Sequence, residues 1–122
     1  MTDDQERERG QQAWRDVMGA DGPPVTDPFM EFTSDHVFGQ VWTRPGLTTR
    51  DRRLVTLTAI AAAGADAALE LHLRAAYQSG DLDLEELDEF VVHLAHYVGW
   101  PAATPVYMAL GALKTQVAAT AE

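Results

Sequence analysis

Apolar residues recur at spacings of three and four along most of the chain, the period of helices that bury one face. The clearest stripe is Leu84, Leu87, Val91, Leu94 and Val98. Punctuation divides this pattern into about six helices. Gly64, Gly80 and Gly99 each fall just after a periodic segment, where a left-handed C-terminal residue is cheapest as glycine. A first helix is predicted over roughly 4–18, ended by Gly19, with opening turns so polar that they should fray. Asp27-Pro28 reads as an N-cap followed by proline at the first helical position, opening a second helix to about Phe38. Thr48 with Asp51 resembles a capping box for a third helix to Ala63. A fourth helix is predicted over Asp66–Ser79, and Asp83 with Glu86 has capping-box spacing for a fifth to about Val98. The last starts at Pro101 or is reset at Thr104-Pro105, and frays in its alanine-rich tail. The expectation is an all-α fold in a single compact domain over residues 1–122.

The third helix (LVTLTAIAAAG) and the end of the sixth (MALGAL) are apolar or small on most sides. A helical chain of 122 residues has too little volume to surround several such helices. Burial between subunits, hence a homo-oligomer, is therefore expected. The plainer alternative is one amphipathic core in which alanine serves helix propensity alone.

Composition narrows the partners. Nine Lys+Arg against nineteen Asp+Glu leave a net charge of −10, which argues against nucleic acid or an anionic membrane as partner. With no cysteine, disulfides, thiolate metal sites and thiol redox chemistry are excluded. The start MTDDQERERG lacks the apolar core of a signal peptide, and the weakly polar run 54–65 is too short to span a bilayer. A cytoplasmic protein is expected.

Four histidines and a cluster of arginines could carry chemistry. His72 borders an apolar face, with Leu69, Leu73 and Ala76 beside it. A histidine so placed is either a hydrogen-bonded boundary residue or a general acid or base. The fourth and fifth helices are consecutive and are expected to pack antiparallel, which would bring His72 and His93 toward each other. Glu89, His93 and His96 share a second face of the fifth helix; they are either a solvated array or part of a metal site needing a ligand from elsewhere. VWTRPGLTTRDRR is the densest cationic stretch, with Arg44 in a Pro-Gly turn and Arg50, Arg52 and Arg53 in the first turns of a helix. Cations there oppose the helix dipole. They are either carboxylate binders or ion-pair partners of neighbouring acids.

These residues carry a resemblance. Phe38-Gly-Gln-Val-Trp-Thr-Arg-Pro-Gly-Leu47, Arg52-Arg-Leu-Val-Thr56, Leu71-His-Leu-Arg-Ala75, then His93, Tyr97, Gly99 and Pro101-Ala-Ala103 are similar to the 4-carboxymuconolactone decarboxylase family. That family belongs with the alkylhydroperoxidase D-like proteins. The resemblance runs from the R-x-x-G start at Arg7–Gly10 through the C-terminal helix. It implies an alkylhydroperoxidase D-like, all-helical subunit in a homo-oligomer, a ring-like hexamer or trimer. The peroxidase branch carries Cys-x-x-Cys-x-x-x-His; here the cysteine places are Ala65 and Ala68, so that dithiol chemistry is excluded. The decarboxylase branch commonly has Glu-Leu-x-x-His, and its glutamate place is also Ala68. Glu70 is no substitute, because two residues along a helix point about 200° away. Gln78-Ser79 replaces the family's asparagine pair, Thr104-Pro105 departs from its small residues, and His96 matches no family position.

The resemblance implies a carboxy-lyase needing neither cofactor nor metal, acting on 4-carboxymuconolactone or a similar carboxylated lactone from aromatic catabolism, the β-ketoadipate route. There the departing carboxylate is vinylogous to the lactone carbonyl, so loss of CO2 leaves a delocalised enolate to be protonated. Arg44 and Arg52 are expected to bind the retained carboxylate, with Arg53 as a further substrate-binding cation. His72 would be the general acid, His93 would stabilise the enolate or orient His72, and Trp42 and Tyr97 would wall the pocket. Three alternatives stand beside this one. The pocket could serve another lyase or isomerase step on a carbonyl acid or polyketide, the chain could be a non-catalytic member, or a metal could bind at His93 and His96.

Overall fold

The computed structural model describes residues 1–121, and every regular element in them is helical. Contacts divide the chain into two compact units, Met1–Arg52 and the remainder from Arg53 onward.

In the first unit, α1 (Asp3–Met18) opens on a capping box. Thr2 Oγ1 accepts from the Gln5 N–H at 3.2 Å, and Gln5 Oε1 accepts from the Thr2 N–H at 2.9 Å. Asp3, Asp4 and Glu6 sit in the first turn, where carboxylates complement the dipole, so the polar start that suggested fraying is a capped one. Gly19 ends the helix at φ 76°. A short α2 (Pro28–Glu31) begins as expected, with Asp27 Oδ1 accepting from the Met30 N–H at 2.9 Å and proline in its first turn. It does not continue as an α-helix to Phe38. From Phe32 to Val41 the backbone winds as a π-helix, π1, and closes with Trp42 N–H donating to the Val37 carbonyl at 3.0 Å.

Helix α1 packs closely against π1. Gly10 and Gly39 let the two backbones approach: a Cβ on Gly10 would lie 2.2 Å from the Ser34 carbonyl oxygen. Arg7 clamps the same contact, its Nε and Nη2 bonding the two Asp35 oxygens at 2.8 and 3.2 Å. Ala13, Val17 and Phe38 form a small core there, flanked by Trp14, Met18 and Trp42.

Helix α3 (Thr49–Ala63) starts in the first unit, with Thr48 Oγ1 accepting from the Asp51 N–H at 3.1 Å. The second unit holds its remainder, α4 (Asp66–Gln78), α5 (Leu84–Val98) and α6 (Trp100–Ala121). Gly80 at φ 81° ends α4 and lets the Leu82 N–H return to the Ala76 carbonyl at 3.1 Å. The expected Asp83/Glu86 capping box is fully formed. Helix α6 begins one residue before Pro101 and runs straight through Pro105. Both α4 and α5 pack most closely on α6, rather than on each other as the antiparallel expectation had it. The core joins Leu57 and Ala61 of α3, Leu69, Leu73 and Ala76 of α4, Leu87, Phe90 and Leu94 of α5, and Val106, Leu110 and Leu113 of α6. Leu84, Val91 and Val98 complete the predicted α5 stripe as half-buried neighbours.

Candidate active site

The predicted site residues fall in both units. In the first, Trp42 is half-buried and stacks on Phe38 at 6.2 Å between ring centroids. Arg44 and Arg52 are brought together through the backbone, as Arg52 Nη2 donates to the Arg44 carbonyl at 3.0 Å. Arg52 Nε is buried with no hydrogen-bond partner among the described residues, while Arg44 is exposed. A hollow of about 310 Å3 in this unit takes in none of these residues; it is lined by Gln11, Trp14, Arg15, Met30 and Ser34.

In the second unit, helix register sorts the candidates. Arg53 shares the inner face of α3 with Leu57 and Ala61, and it is 0% exposed. A guanidinium so far from water needs an anion. Asp81, in the connection between α4 and α5, supplies one, with Arg53 Nε to Asp81 Oδ2 at 3.0 Å. The ion-pair alternative therefore describes Arg53. Burial lowers its proton affinity and the Asp81 bond raises it, with burial the larger effect.

His72 is half-buried beside Leu69, Leu73 and Ala76, and its buried Nδ1 has no hydrogen-bond partner among the described residues. Burial, and after it the charge of Arg53, hold the imidazole below the ordinary histidine value near 6.5. His72 is thus neutral at pH 7 in the free chain. His93 lies on the exposed side of α5 and stacks on Tyr97 at 5.1 Å, so its ring is paired with Tyr97. Tyr97 itself is 81% exposed. His96 Nδ1 donates to the Val92 carbonyl at 2.6 Å, and its ring meets Trp100 edge-on at 5.4 Å. Among the described residues no three acids and histidines gather as a metal site, Glu89, His93 and His96 included.

Sequence reasoning missed Asp81. Its partner is far away in the chain, and an aspartate after a helix-ending glycine reads locally as turn chemistry. It also missed an apolar hollow of about 300 Å3 on α5 and α6, lined by Val91, Val92, Ala95, Trp100, Ala103, Thr104 and Tyr107. No described helix is long and apolar enough to cross a membrane.

Two similar proteins are named for decarboxylation. The chain is 40% identical over 75 residues to a 4-carboxymuconolactone decarboxylase of Acinetobacter baylyi, covering 62% of this chain and 55% of that protein. It is 36% identical over 96 residues to a nitrosuccinic acid decarboxylase of Metarhizium robertsii, covering 72% of this chain and 66% of that protein. The chain thus spans between half and two thirds of the length of these relatives. The family model described as the carboxymuconolactone decarboxylase family matches residues 27–114, most of the chain, and the chain belongs to that family.

Proposed function

We propose that this chain is a decarboxylase of small, multiply charged organic acids, with 4-carboxymuconolactone the first substrate to test. The observation that carries the reading is His72: a half-buried imidazole under the charge of a wholly buried arginine, in a family whose two similar members are named for decarboxylation. The reaction breaks the bond between a carbon and its carboxylate, leaves the electron pair on that carbon or on a conjugated oxygen, and consumes one proton. In the free chain His72 is a poor proton carrier at neutral pH. An anionic substrate beside it opposes the charge of Arg53 and favours the imidazolium. Substrate binding would thereby draw the proton that CO2 loss requires onto His72.

For Arg44 and Arg52 we infer a role in capturing the retained carboxylate. The buried Nε–H of Arg52, without a hydrogen-bond partner among the described residues, supports it, because such a donor gains most from an anionic acceptor. Trp42 and Tyr97 as pocket walls, His93 as a stabiliser of enolate charge, cofactor-independence, a cytoplasmic location and a homo-oligomeric state belong to the same proposal.

A second reading changes only the substrate. Ala68 stands at the family's glutamate place, and in nitrosuccinic acid a nitro group replaces the lactone carbonyl as the acceptor of the electron pair. The test is turnover of 4-carboxymuconolactone and of nitrosuccinate by the purified chain, followed as CO2 release. Preference for the lactone supports the first reading and preference for the nitro acid the second. With neither consumed by folded protein, both fall.

A further inference from the structure

The hollow of about 310 Å3 in the first unit is large enough for a small molecule, and none of the residues proposed for decarboxylation lines it. Helix α1 contributes Gln11, Trp14 and Arg15 to it, α2 contributes Met30, π1 contributes Ser34, and the connection 21–25 completes it. That connection is preset. Pro23 and Pro24 have fixed φ, and Gly22 lies so close to Trp14 that a Cβ there would meet Trp14 Cε2 at 2.8 Å. Phe38 braces the same indole, with 4.4 Å between ring centroids. An occupant therefore meets a formed wall and has little chain to order.

The lining defines what fits. Its formal charges cancel, because Arg15 Nη1 lies 3.4 Å from Asp21 Oδ1, and Arg15 Nη2 also donates to Gln12 Oε1 at 2.9 Å. With the whole chain at −10, an anion is disfavoured, so the multiply charged acids proposed as substrates suit this hollow poorly. Trp14, Pro23, Pro24, Val25 and Met30 offer apolar contact instead. Ser34 adds the polar group: it is 2% exposed, and its Oγ is buried with no hydrogen-bond partner among the described residues. A buried hydroxyl left unpaired is costly, and it can both donate and accept. Its side chain turns about a single torsion, so the oxygen can follow an entering partner. We propose that this hollow binds an uncharged single-ring compound bearing a hydroxyl group, its ring among Trp14, Met30 and the prolines and its hydroxyl paired with Ser34 Oγ.

Phenol is the probe, titrated into the whole chain while NMR follows the indole N–H signals of the three tryptophans. Loss of one signal in Trp14→Phe identifies Trp14. Phenol should shift that signal to saturation, and benzoate, the charged counterpart, should bind more weakly. Ser34→Ala removes only the unpaired oxygen, so the fold should persist. It should weaken phenol by roughly five- to tenfold, the worth of one hydrogen bond, and leave toluene, which has no hydroxyl, unchanged. A saturating Trp14 shift with this selective loss supports the proposal. It is overturned if phenol does not saturate, if only the Trp42 or Trp100 signal moves, or if benzoate binds as tightly as phenol. It is equally overturned if Ser34→Ala leaves phenol unaffected or weakens both compounds alike. Turnover plays no part in these readouts, so they stand apart from the decarboxylase reading.

Discussion

The surroundings of His72 bear on the stability of the chain as well as on its proposed role. In the folded chain, burial and Arg53 resist protonation of the ring, whereas an unfolded chain takes up the proton near pH 6.5. Below that value the unfolded state binds more protons than the native one, so the free energy of unfolding falls with pH. The contribution is complete above pH 6.5 and is lost progressively on the acid side. His72→Gln removes the titrating group, and its urea midpoint should decline less between pH 7.5 and pH 5.5 than that of wild type. Equal declines would show that the folded environment does not resist the proton. The sequence made His72 visible because its neighbours on the helix are apolar. It left Asp81 hidden, since an ion pair between α3 and a turn after α4 has no periodicity to betray it.

At the level of elements, the legible features are those whose causes are local. The Asp27 and Asp83 caps, the glycine helix ends and the α5 stripe are each set within a turn or two of chain. The π-wound segment is different, because its contacts are with α1, well removed in the chain. Gly10 faces the Ser34 backbone, and a Cβ at Gly39 would lie 3.1 Å from the Gly10 Cα. A methyl on Gly10 would meet the Ser34 carbonyl oxygen at 2.2 Å, an atom fixed in the helix backbone and unable to swing aside. Gly10→Ala should therefore force α1 and π1 apart and cost about 1–3 kcal/mol, the range for overpacked contacts. Thermal unfolding monitored by Trp14 and Trp42 fluorescence reads this directly, as both rings border the small core that the two helices share. An unchanged midpoint would mean that the close approach contributes nothing to stability.

For the molecule as a whole, the sequence raised the question of where the apolar sides of α3 and α6 go. Helix α6 buries Ala103, Val106, Leu110 and Leu113 within its own unit. Its other face leaves Trp100 and Tyr107 each 62% exposed and Met108 69% exposed, and Val92 of α5 is exposed beside the same hollow. Clustered aromatic exposure of this kind is a feature of interaction surfaces, and a homo-oligomeric contact is proposed for it here. The proposed occupant is a second copy of the chain, which matches apolar surface with apolar surface and leaves no charge to bury unpaired. Each copy carries a net charge of −10, so association must overcome mutual repulsion. Salt screens that repulsion without weakening apolar contact. The purified chain should therefore exceed the monomer mass in light scattering after size exclusion, and added sodium chloride should tighten the assembly. Tyr107→Glu combined with Met108→Glu should shift the mass toward one copy while the helical circular dichroism is retained, since both side chains lie outside the core. A wild-type chain that stays monomeric at every salt concentration would leave this face for another partner.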